Sequence, residues 1–373
     1  MDAKCLSDWN LVLSYLPENW QLKFRELGAL KFGRKFSGDD KESRLLRVLF
    51  MHLADGMSLR VTAAEARLAK IVEISDVGIL ARLRKSTSWF EWCTQQLLLA
   101  NTAHPANIPI ADLRFRAVDA SVVKEPGPTG SLFRLHYAMN LGSLSAEEIK
   151  LTNCKQGEGF RNFSISKNDL MFGDRAYATA SGITYVADCS GYVLCRFFPR
   201  HLPLYQMDSS KRFLLMPRLR RLSYGEFGDW NVLIKNNNQL INARVCAMKK
   251  SPEATEKERR EIIHDANKKR RQASDEALEL AGYMLVITTL EAEKYSASFI
   301  IKCYHLRWQI ELLFKRLKSI LDVGCLPKYD DKSARAYLAG KIMIAVLIET
   351  IIHQADDFFP LRNSFIIAEK HLA

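Results

Sequence analysis

Residues 304–318 read Tyr304-His305-Leu306-Arg307-Trp308-Gln309-Ile310-Glu311-Leu312-Leu313-Phe314-Lys315-Arg316-Leu317-Lys318. An α-helix turns about 100° per residue, so Leu306, Ile310, Leu313 and Leu317 line up as one apolar stripe fit to face a core. Tyr304, Arg307, Glu311 and Lys318 fall on another face, within an arc of about 60°. A single acid among bases on one face fits two readings. In one, Glu311 holds a metal ion while Arg, with its bidentate fork, and Lys, as a point charge, hold phosphate oxygens. In the other, the face is solvated and carries ion pairs from Arg307 to Glu311 and from Glu311 to Lys315. The pattern predicts a helix from about Ser298 to Leu321, followed by another from Ala334 to His353.

Upstream, two acids stand where strands are expected to end. Leu113-Arg114-Phe115-Arg116-Ala117-Val118-Asp119 alternates with period two, as a half-buried strand does, and Asp119 is expected to close it. Leu170-Met171-Phe172 reads as a short buried strand closed by Gly173-Asp174. Between them, Gly127-Pro128-Thr129-Gly130 supplies turn chemistry, and Phe133 to Asn140 and Glu147 to Asn153 read as strands. A helix through Ile183, Val186 and Ala187 and a strand at Tyr192 to Cys195 follow. Strands in hairpin order, then strands alternating with helices, indicate a mixed α/β sheet. Adjacent strands set two carboxylates about 5 Å apart, and a helix packed across them supplies a third. An all-oxygen set suits Mg2+ or Mn2+, and a pair of such ions activates one oxygen of a phosphodiester reaction and stabilises the other. Taken singly, a strand-end Asp reads equally as a turn or capping residue.

The block from about 198 to 282 breaks this alternation and reads as an insertion. It holds strand-like runs at Asn231 to Lys235 and Ile241 to Ala247, then a long charged helix from Pro252 to Leu280. Tyr283 to Thr289 returns to a buried strand. Residues 190–282 carry 18 Lys and Arg against 11 Asp and Glu, more than half of the whole-chain excess of +12. Such an excess favours a polyanionic partner, because phosphate contacts release condensed counterions. The interleaved Glu253, Glu256, Glu258 and Glu261 also fit a plain solvated helix.

Residues 1 to about 105 read as helical, with apolar spacing through Leu45, Leu46, Val48, Leu49 and Leu53. Ser58 is a candidate N-cap, and Ser75 or Asp76 is expected to cap a helix running through Leu80 and Leu83 to Leu97. Short helices bearing Arg60, Arg67, Arg82, Arg84 and Lys85 resemble a helix-turn-helix unit, with a plain bundle as the alternative. The start, Met1-Asp2-Ala3-Lys4, lacks the layout of a secretory signal, and the apolar run Ile342 to Ile348 is too short to span a bilayer. The eight cysteines form no CxxC pair, so reduced thiols in a cytoplasmic protein are expected.

Tyr304-x2-Arg307-x3-Glu311-x6-Lys318 matches the YREK signature of bacterial insertion-sequence transposases, and the chain resembles the insertion sequence 4 family. Asp119-Ala120-Ser121-Val122-Val123-Lys124 through Arg134-Leu135-His136-Tyr137 is similar to the family's first-Asp region. Asp174-Arg175-Ala176-Tyr177 is similar to its second, although Ala176 stands where Gly is usual. The resemblance implies an α/β fold: a ribonuclease H-like catalytic core with a mainly β insertion, preceded by a helical N-terminal domain. On that reading residues 1–110 form the helical domain, expected to bind DNA ends. Residues 111–197 begin the core, 198–282 are the basic insertion, and 283–373 complete the core and add C-terminal helices.

By the same resemblance Asp119, Asp174 and Glu311 form the DDE triad and hold two Mg2+ or Mn2+ ions. Tyr304, Arg307 and Lys318 hold the terminal phosphate, Trp230 or Trp308 supports a flipped base, and Arg175 and Tyr177 contact DNA. The partner is double-stranded DNA, both inverted-repeat ends and target, bound by a homodimer in a synaptic complex with no membrane role. The expected location is cytoplasmic, on the nucleoid. The implied activity is metal-dependent cleavage at transposon ends and strand transfer. A nuclease of the same fold without strand transfer, and an inactive DNA-binding regulator, are the alternatives.

Overall fold

The computed structural model describes residues 3–30, 38, 40–102, 113–124, 131–208, 211–320, 326–327 and 330–358. Among these, six helices make up the N-terminal part: α1 (Ala3–Ser14), α2 (Trp20–Glu26), α3 (Lys41–Leu53), α4 (Leu59–Leu68), α5 (Asp76–Lys85) and α6 (Thr87–Thr102). Ser58 and Ser75 cap α4 and α5 by accepting from the backbone N–H groups of Val61 and Gly78, donors that a first turn leaves open. The single helix expected from Ser75 to Leu97 is two, divided at Ser86. The Ser86 hydroxyl donates to the Arg82 carbonyl, a local bond that competes with helix continuation.

The rest of the chain runs β1 (Arg114–Lys124), β2 (Ser131–Asn140), β3 (Ser145–Asn153), β4 (Asp169–Gly173), α7 (Ala180–Asp188), β5 (Tyr192–Arg196), β6 (Leu204–Tyr205), α8 (Met216–Leu219), β7 (Phe227–Asn236), β8 (Gln239–Lys249), α9 (Pro252–Lys268), α10 (Asp275–Leu280), β9 (Tyr283–Thr288), α11 (Ala297–Tyr304), α12 (Trp308–Ile320) and α13 (Asp331–Phe358). Nine described strands form one mixed sheet in the order β3-β2-β1-β4-β5-β9-β8-β7-β6. β1, β2 and β3 pair antiparallel, β4 and β5 run parallel to β1, and β9 returns antiparallel to β5. The turn expected at Gly127–Gly130 lies outside the described residues.

Four expectations change here. Asp119 does not close β1, which continues to Lys124 because Ala120 through Val123 pair with His136 through Phe133. The insertion is not mainly β: its second half is helical, and β8 pairs along β9, so its strands extend the core sheet. The long charged helix breaks after Lys268, where Arg270 takes a left-handed φ of 53° and the Arg271 N–H bonds back to the Ala266 carbonyl. The helix over 298–321 is likewise two, offset by a 3-10 turn at His305–Arg307. That turn advances about 120° per residue and so alters the arc drawn for Tyr304 and Arg307.

Helices cover both sheet faces, so Phe115 through Val118 of β1 are all buried and the strand is not the half-buried one its alternation predicted. Phe115, Ala117, Tyr137, Phe172 and Leu194 share one core with Ile310, Leu313, Phe314 and Leu317 of α12, with α13 and with the N-terminal helices. Val118, Met171, Val193, Val245 and Ile287 share the other with Ile183 and Val186 of α7. Glu349 of α13 accepts from the Tyr137 hydroxyl (2.8 Å) and the Ala146 N–H (3.1 Å), tying that helix to the sheet. At the start of β1 and β4, buried Asp169 accepts from Arg114 (2.6 and 2.9 Å), Arg116 (3.0 Å) and the Ser166 N–H (2.8 Å). No described helix is long and apolar enough to cross a membrane. Cys93, Cys154, Cys189, Cys195, Cys246 and Cys303 are free thiols, and the side chains of Cys5 and Cys325 fall outside those described.

Candidate active site

The β1–β4 register pairs Arg116 with Met171 and Ala117 with Phe172. Continued two residues, past the end of β4, that register would set Asp119 level with Asp174, and the two carboxylates interact electrostatically. The Asp119 carboxylate accepts from the Ala120 N–H (2.8 Å) and that of Asp174 from the Ala176 N–H (2.7 Å). Burial pushes the Asp119 carboxyl up to about 6; the Ala120 bond opposes that, and the neighbouring Asp174 adds to it. Like charges side by side in a half-dry setting leave a site short of positive charge.

Asp119 lies on the β1 face that α12 covers. Asp119, Ala120, Ser121, Glu311, Phe314, Lys315 and Lys318 line one open cleft of about 200 Å³. Glu311 and Lys318 therefore stand across the cleft from Asp119. Glu311 is half exposed and paired with Arg307, one turn earlier. Burial works against the Arg307 charge, but Tyr304, Glu311, Asp119 and Asp174 together hold its guanidinium above the usual range. Arg307 is thus the cation that the acids now share. Among the described residues, no three His, Cys, Asp or Glu side chains stand close enough to hold a metal ion as they are. Asp119 and Asp174 are together; Glu311 faces them while bound to Arg307.

Tyr304 is buried and its hydroxyl donates to the Gly173 carbonyl (3.2 Å), at the residue before Asp174. Gly173 is required there: a Cβ would stand 2.6 Å from the Cβ of Tyr177 and 3.2 Å from the Cys195 sulfur. Tyr177 is also buried, with its hydroxyl unpartnered; burial first, then Asp119, Glu158 and Asp174, keep that phenol neutral. Arg175 is exposed and pairs with Glu258 at 3.5 Å. Trp308 is 50% exposed beside Arg307, so it is no core residue. Trp230 lies over Gly228, where a Cβ would come within 2.1 Å of the indole. Its row across the sheet runs Gly173, Cys195, Ile287, Val245, Trp230, four strand spacings or roughly 19 Å from the Asp174 corner.

The sequence reading missed Glu158, on the loop between β3 and β4. Burial raises its carboxyl, Arg134 opposes this, and Asp174 adds to the rise. Its one sequence signal is an acid flanked by Gly157 and Gly159.

Residues 111–347 match the transposase DDE domain family. The chain is 30% identical over 361 residues to the putative transposase InsL for insertion sequence element IS186A of Escherichia coli (strain K12), covering 95% of this chain and 96% of that protein. It is 30% identical over 362 residues to the transposase for insertion sequence element IS421 of Escherichia coli, with the same coverage. A chain of the piggyBac transposase synaptic complex with hairpin DNA aligns with a TM-score of 0.47 at 9% identity, covering 97% of this chain and 76% of that one, a likeness too low to bear on the assignment. The family match takes in Asp119, Asp174, the insertion and α12, and the relatives match over 95% of this chain: the chain belongs to the DDE transposases, enzymes that cleave DNA and transfer its strands.

Proposed function

We propose that Asp119, Asp174 and Glu311 are the DDE carboxylates of a cut-and-paste transposase of the insertion sequence 4, YREK-bearing group. The observation that carries this is the cleft shared by Asp119 and Glu311, with Asp174, just past the end of β4, near enough to help raise the Asp119 carboxyl. The strand order β3-β2-β1-β4-β5, three antiparallel and two parallel to β1, supports a ribonuclease H-like core at residues 111–197 completed after residue 283. Residues 1–110 are the helical part suited to DNA ends, with a homodimer bringing two ends together on the nucleoid.

The donor set fits two Mg2+ or Mn2+ ions: three carboxylates, all oxygen, two of them short of positive charge. When bound, the ions would activate the attacking oxygen and stabilise the departing one. The chain's own part is to hold the acids and the DNA. Tyr304 fixes the end of β4 through the Gly173 carbonyl and so positions Asp174, in place of the phosphate contact expected of it. Arg307 releases Glu311 and turns its fork to a DNA phosphate, with Lys318 on the same wall. Trp308, exposed next to Arg307, is the better base platform of the two tryptophans. Tyr177 acts from inside, packed on Gly173, while Arg175 reaches DNA.

The test is Mg2+-dependent nicking of an end-containing duplex by wild type, Asp119→Ala and Glu311→Gln. Loss of nicking in both variants supports the triad, and undiminished nicking in both overturns it. Joining of the nicked 3′ end to a second duplex separates a transposase from a nuclease.

A further inference from the structure

Beside the acids lies a second charged cluster, centred on Glu258 of α9. One of its oxygens, Oε1, pairs with Arg196 (3.1 Å) and Arg175 (3.5 Å), and the other, Oε2, with Lys250. Lys250 also donates to the Ala281 carbonyl (3.2 Å). Three cations thus surround one anion, leaving an excess of about two charges in a half-buried recess. The buried Arg244, by contrast, has its own carboxylate in Asp229 and two backbone carbonyls besides. Burial, with repulsion from Arg196 and Arg175, depresses Lys250, so the crowding works against the fold. A fold needing only structural pairing has no use for the surplus.

The cluster's place and shape suit a ligand. Gly173 pairs with Cys195 across β4 and β5, so Arg196 is the register neighbour of Asp174, and Tyr304 lies within electrostatic reach of both arginines. The Arg175 side chain is 48% exposed and that of Arg196 32%, so both guanidinium groups reach solvent. A carboxylate shares one negative charge between two oxygens, as a phosphodiester does between its non-bridging oxygens. Glu258 engages the cluster in that manner. Its helix is lightly held: among the described residues of α9, only Ala266 is fully buried.

We propose that Arg175, Arg196 and Lys250 form a subsite for a backbone phosphate of the DNA next to the catalytic acids. In the absence of DNA, Glu258 fills that subsite as a displaceable stand-in. The proposal deepens the transposase reading and rests on it for the identity of the ligand.

The test is equilibrium binding of the full-length chain to a labelled duplex in EDTA, over salt from about 50 to 200 mM. Because no cleavage is read, failure here leaves the triad untouched, and failure of the triad leaves this result standing. Glu258→Gln should bind about 3- to 10-fold tighter than wild type, and Lys250→Met and Arg196→Gln weaker by a similar factor. Each of the two cation losses should also lower the slope of log K against log salt by about 0.9. Glu261→Gln, the same charge change on an exposed face of α9, should have a markedly smaller effect than Glu258→Gln; an equal effect means a general field and overturns the subsite. Wild-type affinity and slope in folded Lys250→Met and Arg196→Gln overturn it too, and these two variants decide alone if Glu258→Gln does not fold. Inorganic phosphate at constant ionic strength should leave the wild-type melting temperature unchanged. A rise that Lys250→Met abolishes would mean a site for free phosphate, and the DNA assignment would fall.

Discussion

Asp169 opens β4, whereas Asp119 lies midway along β1 with Asp174 just past the end of β4, and the fold treats the two places in opposite ways. At the start, Asp169 is closed in by Arg114, Arg116 and the Ser166 N–H, and Arg116 also pairs with Glu147 at 2.6 Å. At the far end, Asp119 and Asp174 each accept a local backbone N–H, lie beside one another and share Arg307 at a distance. The same residue type therefore does two jobs on the same pair of strands. A carboxylate whose oxygens are saturated by fixed cations holds register. A carboxylate buried next to another, with its proton affinity raised, is poised for a ligand.

This contrast breaks most visibly in activity. Asp119→Asn should lower Mg2+-dependent nicking by about a thousandfold or more, several kcal/mol of barrier, whereas folded Asp169→Asn should nick at close to the wild-type rate. Equal losses in both would erase the distinction. Next in size is stability: Asp169→Asn strips a buried charge partner from Arg116 and should cost about 3–5 kcal/mol in chemical denaturation.

The third prediction reverses the sign. An acid whose folded pKa is raised binds its proton more tightly in the fold, so its contribution favours folding at low pH and is lost as pH rises from about 4 through about 6. In EDTA at pH 7.5, Asp119→Asn should therefore be more stable than wild type by about 2 kcal/mol, with the gap closing below about pH 4. A destabilised Asp119→Asn at pH 7.5 would show that Asp119 is as well partnered as Asp169. The smallest effect sharpens the far end alone. Tyr304→Phe removes the hydrogen bond to Gly173 and should cost about 1 kcal/mol, read as a lower denaturation midpoint at unchanged slope.

Local chemistry made much of this architecture legible in the sequence. Ser58 and Ser75 announced their helices because a cap acts within three residues, and β1 announced itself through period-two alternation. What stayed hidden depends on distant partners. Nothing near Asp119 says that Ala120 through Val123 will pair with β2. The break at His305–Arg307 contains neither Gly nor Pro, and the apolar spacing runs straight through it. Of the site, the sequence offered Asp119, Asp174 and Glu311 as candidates, and Asp119 and Glu311 line one cleft. Glu158 carries no periodic signal, and the Glu258 cluster joins residues up to 83 positions apart in the chain (Arg175 to Glu258).

The most direct test of the proposed triad replaces a carboxylate oxygen of Asp119 with sulfur. Asp119→Cys should fail to nick an end-containing duplex in Mg2+, which shuns thiolate, and regain nicking in Mn2+, which accepts it better. Wild-type nicking by Asp119→Cys in Mg2+ would contradict the assignment, because no ion would then be touching that side chain.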